Sequence, residues 1–385
     1  MIKTNSVRGH VALMVGHCAG MVDLVALPVW VGTLISRYGL DPQQAGLLAT
    51  LFLAGAVVAS LILAPRFHKL HGRTVASMGF AASALAFFSV SMVSDFASMA
   101  ALHAVAGLAA GSALSVTHGT IARSERPHRM FAIVGMALGV FAIVFLGATP
   151  PLIAATSGPV LFIVFAGVML VAALVSLAAF PVADAASTGQ TAASLASRLP
   201  AAVWFGIVGI GCMGLVQAMT FSFLERVGSD RGFGLAAITG VLVALGVVNL
   251  FPAGLAALLE KRLAARTVML VGPVLQALLV VVIMNSPAFA PYAAAASFFA
   301  AVMIFTHTFA FGLLARLDLS GRALAATPAM LMIGAAIGPI LGGTLVKMTG
   351  YGSIGIAALV IAAIAVFCFS RIPSNTSASR QGALA

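Results

Sequence analysis

Few side chains here could do chemistry. The first is Asp23, alone in an apolar run, residues 11–35, that holds no Lys or Arg to neutralise it. An ionised acid in hydrocarbon costs at least about 2.5 to 3.5 kcal/mol, so such a residue normally faces a bundle interior or a watery cavity on a substrate or proton path. Asp23 is therefore expected to bind and release a proton, or to attract a cationic group. The plainer alternative is a hydrogen bond to a neighbouring helix. No other acid falls in the middle of an apolar run. His17 shares the run of Asp23, His103, Thr117 and His118 lie in 97–122, Gln217 in 201–224, and Thr306 and His307 in 290–315. An imidazole titrates near neutral pH, which suits His103 to a proton relay; a packed, hydrogen-bonded histidine is the alternative. Together these eight residues are the candidate lining of a substrate cavity, each of the others being open to a structural reading as a helix contact.

Other chemistries lack their residues. No HxxxH pair, Cys ligand or carboxylate completes a four-ligand metal site at the depth of the histidines. Ser112 has no G-x-S-x-G frame around it, and no Walker loop points to nucleotide-driven pumping. No catalytic residue, metal or cofactor is expected.

The elements that must hold these residues are membrane helices. Of 385 residues 62% are hydrophobic and only 8% charged, with a mean hydropathy of +1.14, far from a soluble domain. Runs of about 20 apolar residues can cross a bilayer. Twelve occur: 11–35, 44–64, 75–94, 97–122, 131–150, 160–180, 201–224, 234–258, 268–285, 290–315, 323–346 and 353–370. The net charge of +11 then reports topology, not nucleic acid. Of the twenty Lys and Arg residues only Arg37, Arg226, Arg231 and Lys347 fall on the side opposite the N-terminus. That bias places both termini in the cytoplasm of a cell (inner) membrane, with the bilayer as partner. Cys18, Cys212 and Cys368 fall inside runs and are expected to be free thiols, and the first run is too long for a cleaved signal. With a rise of about 1.5 Å per residue, His17, His118 and His307 lie roughly 6–12 Å from the cytoplasmic edge, and Asp23, Gln217 and His103 roughly 20–28 Å.

The chain also repeats itself. Lys69, Leu70, Arg73, Thr74 and Val75 match Arg262, Leu263, Arg266, Thr267 and Val268 at an offset of 193 residues; Arg123, Glu125 and Arg129 match Arg316, Asp318 and Arg322 at the same offset. Two loops in one register imply two parallel six-helix halves, residues 1–180 and 201–385, joined by an Ala-, Ser- and Thr-rich cytoplasmic linker, 181–200.

Several local motifs resemble those of the major facilitator superfamily of secondary transporters. Gly72-Arg73 stands where that family ends its Gly-x-x-x-Asp-x-x-Gly-Arg loop, with Pro65 in place of the first Gly and Lys69 in place of the Asp. His103-Ala104-Val105-Ala106-Gly107 is similar to its Arg-x-x-x-Gly segment with His for Arg, and Gly338-Pro339-Ile340-Leu341-Gly342-Gly343 to its Gly-Pro-x-x-Gly-Gly element. The resemblance implies an all-α membrane protein of twelve transmembrane helices in two pseudo-symmetric bundles, with spans one, four, seven and ten lining the cavity. It implies a gating loop at Lys69, Gly72 and Arg73 with counterparts Arg262 and Arg266. Gly334, Gly338, Pro339, Gly342 and Gly343 are expected to serve helix packing, since small residues let membrane helices approach closely. The expected function is proton-coupled, alternating-access transport of a small neutral or cationic organic molecule by a monomer, with efflux slightly favoured. Import of a nutrient such as an amino acid or carboxylate is the alternative. A non-transporting sensor or an intramembrane enzyme would be the readings from other classes.

Overall fold

The computed structural model describes residues 2–183, 200–317 and 322–373. The linker residues 184–199, Asp318 and Arg380 lie outside them. Helix α1 (Val7–Gly20) starts at Ser6, whose hydroxyl accepts from the Gly9 N–H at 3.1 Å, a standard N-cap. The chain breaks at Met21 and resumes as α2 (Val22–Tyr38), closed by Gly39 in the left-handed conformation at φ 66°, which glycine adopts without a Cβ penalty. Then follow α3 (Pro42–Leu63), a 3-10 turn (Ala64–Lys69), α4 (Gly72–Val90), α5 (Phe96–Ala122), α6 (Pro127–Ala155) and α7 (Pro159–Ala179). The rest of the chain holds α8 (Ala201–Asp230), α9 (Leu235–Val248), α10 (Pro252–Leu259), α11 (Ala265–Asn285), α12 (Phe289–Leu317), α13 (Arg322–Thr349) and α14 (Gly352–Ser370). Twelve spans are long and apolar enough to cross a membrane, α1 with α2 forming the first and α9 with α10 the eighth. The second break has a local cause: Pro252 opens α10, where its missing N–H costs nothing.

The spans pack as two bundles. In the first, α5 lies against α3 and α4, and α7 against α4 and α1; in the second, α13 and α14 lie on α8, and α11 on α12 and α14. Only α3 with α13, α6 with α9, and α2 with α8 join the bundles extensively. Trp30, Phe52, Phe87, Phe162 and Phe165 form an aromatic core in the first bundle, with ring centroids 4.9 to 6.4 Å apart along their chain of contacts.

The repeat seen in the loops is matched by the side chains. Arg73 donates from Nε to the Leu177 carbonyl at 2.7 Å and from Nη2 to Ala178 at 2.8 Å, satisfying the end of α7. Arg266 donates from Nη2 to the Ser370 carbonyl at 3.0 Å at the end of α14. Both pairs are 104 residues apart. These arginines, expected in a gating loop, therefore cap the last helix of their own bundles, where a cation also suits the negative end of the helix dipole. Gly72 packs on the Phe180 ring, while Lys69 and Arg262 are exposed.

Candidate functional site

Asp23 is the second residue of α2, directly after the break. Its Oδ1 accepts from the Leu24 N–H at 2.9 Å. The positive end of a helix favours a carboxylate in its first turn, so the break gives this acid its only local support. Among the described residues no cation forms an ion pair with it. The residue is 2% exposed, which excludes contact with lipid. It precedes Trp30 by seven residues, two helical turns, and so shares the face of α2 that enters the aromatic core. In this conformation Asp23 is thus enclosed within the first bundle and does not line an open cavity as expected.

The histidines separate. His103 is fully buried, stacks on Trp30 at 5.5 Å between ring centroids, meets Phe162 edge-on, and bonds the Met99 carbonyl through Nδ1 at 2.6 Å. Its Nε2 and the Trp30 Nε1 have no partner among the described residues. The imidazole is thus packed among aromatic rings. His17 and His118 do meet: Nδ1 of one and Nε2 of the other lie 2.9 Å apart, linking α1 to α5. One ring must donate and the other accept, so a proton shared by the pair fixes both tautomers. Thr117, beside them, bonds the Ala113 carbonyl of its own helix and packs on Gly16. His307 stays apart, bonded to the Met303 carbonyl at 3.0 Å and packed on Phe311. Thr306 bonds Val302 and fills the space over Gly272 of α11. Gln217 is half-buried and accepts from Gln276 Nε2 at 3.1 Å.

The bundles are joined near one membrane face. Lys347 Nζ pairs with Asp41 Oδ2 at 2.9 Å and reaches Gln43, and Gln43 Nε2 donates to Thr344 at 3.2 Å. Partial burial pushes the Asp41 carboxyl up, but the Lys347 ammonium and the Gln44 and Gln43 N–H groups outweigh it and hold it below the usual carboxylate range. Deeper in, Thr50 on α3 donates to the Ala336 carbonyl at 2.7 Å and accepts from the Ile340 N–H at 3.1 Å. Those two groups of α13 are a normal i→i−4 pair, next to Pro339, which has no N–H to give the ladder, so the hydroxyl bridges that turn from the other bundle. Gly46 and Gly343 let α3 and α13 touch backbone to backbone: a Cβ at Gly46 would overlap the Pro339 carbonyl, and one at Gly343 the Pro42 carbonyl. Gly334 and Gly338 sit in the same way against α8, and Gly342 against Met219 and Phe223. Among the described residues every hydrogen bond and ion pair between the bundles lies toward this face.

The sequence model of the Major Facilitator Superfamily matches residues 12–317. The chain belongs to that superfamily. Among solved structures it is similar to a bacterial homologue of the human lysosomal transporter Spinster, in an inward-facing and unoccupied conformation, with a TM-score of 0.72 and 12% identity over 94% of this chain and 96% of that one. It is also similar to the nucleoside transporter NupG in a D323A mutant, with a TM-score of 0.71 and 15% identity over 94% and 98%. At such identities these likenesses show the fold alone. No curated protein matches the sequence. A superfamily member with twelve apolar spans is a multi-pass membrane transporter.

For a major facilitator protein, two residues at the bundle contacts, Glu225 and Thr50, went unnoticed in the sequence. Glu225 lies on α8, which runs on to Asp230, past the end of the apolar run at 224. Its carboxyl accepts from Ser229 at 3.1 Å and lies so close to Gly32 of α2 that a Cβ there would overlap it. Gln276 of α11 is buried and donates to the Gln217 side-chain oxygen and the Met213 carbonyl, so the polar contacts of Gln217 run to α11. Thr50 carries no sequence signal, since a lone Thr in a membrane helix normally bonds its own backbone.

Proposed function

We propose that the chain is a proton-coupled secondary transporter of small neutral or cationic organic molecules, with Asp23 as the proton site, and that it works outward from the cytoplasm. The observation that carries this reading is a buried carboxyl without a counter-ion at the break of the first span. Breaking a membrane helix exposes backbone groups that need partners, and an unpaired carboxylate there is costly. Protonation removes that cost. Because α1 packs only within the first bundle while α2 packs on α8 of the second, the charge on Asp23 biases the angle at the break and hence the rocking of one bundle against the other. The bundles, residues 1–180 and 201–385, are the moving bodies of this scheme.

Two features bear on substrate class and on the side from which the site is reached. No Lys or Arg lies in the middle of the spans, which disfavours multiply anionic cargo. The face away from the Asp41–Lys347 pair carries most of the basic loops and is cytoplasmic by the positive-inside rule, so an exporter with its bundles held at the opposite face would load from inside, and an importer would release there. The test is flux into proteoliposomes across a panel of cationic, neutral and anionic compounds, with and without an imposed pH gradient. Gradient-driven movement of a cationic or neutral compound is expected. Flux confined to anionic compounds, or indifferent to the gradient, would overturn the reading.

A further inference from the structure

Outside the bundle contacts the second bundle carries a groove of about 630 Å³ between α10, α11 and α12. Its walls are apolar, formed by Phe251, Leu255, Val271, Leu275, Phe298 and Phe305. Helix α11 packs on α8, α12 and α14 of its own bundle, so the exposed row Val271, Leu275 and Leu278 faces the bilayer and not the other bundle. At the end toward the basic loops the groove meets Arg262 and Thr267. Arg262 and its neighbour Lys261 are exposed, and their side chains form no ion pair among the described residues. The nearby acid does not compete for them, because Glu260 is tied to Arg316 at 2.6 Å, and Arg266 is held on the Ser370 carbonyl.

An apolar trough at membrane depth that ends on two unpaired cations at the headgroup level has the charge and the polarity profile of one kind of occupant. We propose that the groove binds one anionic phospholipid, its acyl chain laid along α11 and α12 and its phosphate held at Arg262 and Lys261. Guanidinium groups bind phosphate in a bidentate, charge-assisted fashion, and basic pockets at membrane edges take anionic headgroups. A zwitterionic lipid would fill the apolar walls equally well but gain less at the cationic end. The site is independent of Asp23 and of the direction of transport.

Native mass spectrometry of the purified full chain, with phosphatidylglycerol and phosphatidylcholine of identical acyl chains at equal concentration, tests this. The first lipid bound is expected to be phosphatidylglycerol, by about tenfold. The preference is expected to fall to about twofold or less in Lys261→Gln/Arg262→Gln and to persist in Lys69→Gln, a cation in the corresponding loop of the first bundle. Val271→Trp, which narrows the groove and leaves the charges alone, should abolish the first binding event. Inorganic phosphate alone should not displace the lipid. No preference in the wild type, a preference that survives the double substitution, or a first lipid retained by Val271→Trp would each overturn the assignment.

Discussion

Asp23 and His103 look alike in sequence, as polar groups stranded in apolar runs. Their surroundings differ: His103 is ringed by Trp30, Phe87 and Phe162, while Asp23 sits at a helix break. His103→Phe is accordingly expected to keep gradient-driven flux within about twofold of wild type, since an aromatic ring of similar shape fills the same site. A variant that exchanges substrate normally but no longer responds to a pH gradient would show His103 to be a relay after all. Which way Asp23 points could not be read from sequence, because burial on either face of α2 satisfies the rule that a membrane acid avoids lipid. Glu225 was missed for a simpler reason: its helix continues for six polar-rich residues past the apolar run.

Most helices were legible as elements, since an apolar run bounded by loop residues leaves the backbone one way to satisfy itself in lipid. The breaks were less so. Pro252 announces one, but Met21 has no such signal, and the break there follows Gly20, whose missing side chain lets α1 close on Leu114 of α5. The loop repeat was legible as a repeat, but pattern matching finds equivalent arginines without saying which carbonyls they reach. A polar link between the bundles does exist at the Thr50 hydroxyl. Thr50→Val removes a group that satisfies both Ala336 and Ile340, at a cost of about 1 to 3 kcal/mol. The expected result is a shift of about tenfold toward separation of α3 from α13, read as faster labelling of a cysteine placed at Gln43. Unchanged labelling would show that the α13 turn closes its own ladder without Thr50.

At the scale of the whole molecule, two bundles whose polar links, among the described residues, all lie toward one face form a body that small charge changes can tip. The Asp41–Lys347 pair is not the pH-sensitive part. Its carboxyl is held below the ordinary range, so whatever it contributes is present above that range and lost only as pH falls through the depressed value. Being about one-third to one-half exposed, the pair contributes about 0–1 kcal/mol. Asp41→Asn is therefore expected to shift the balance of conformers by at most about fivefold, equally at pH 5.5 and pH 8, and to leave the pH profile of transport unchanged. A changed profile would place the coupling at the closed face. Coupling at the helix break is tested most directly by reconstituting wild type and Asp23→Asn side by side, measuring gradient-driven accumulation and gradient-free exchange of one substrate. Asp23→Asn should retain exchange and lose accumulation by about tenfold or more; equal accumulation by both proteins would show that the buried acid of the first span carries no proton.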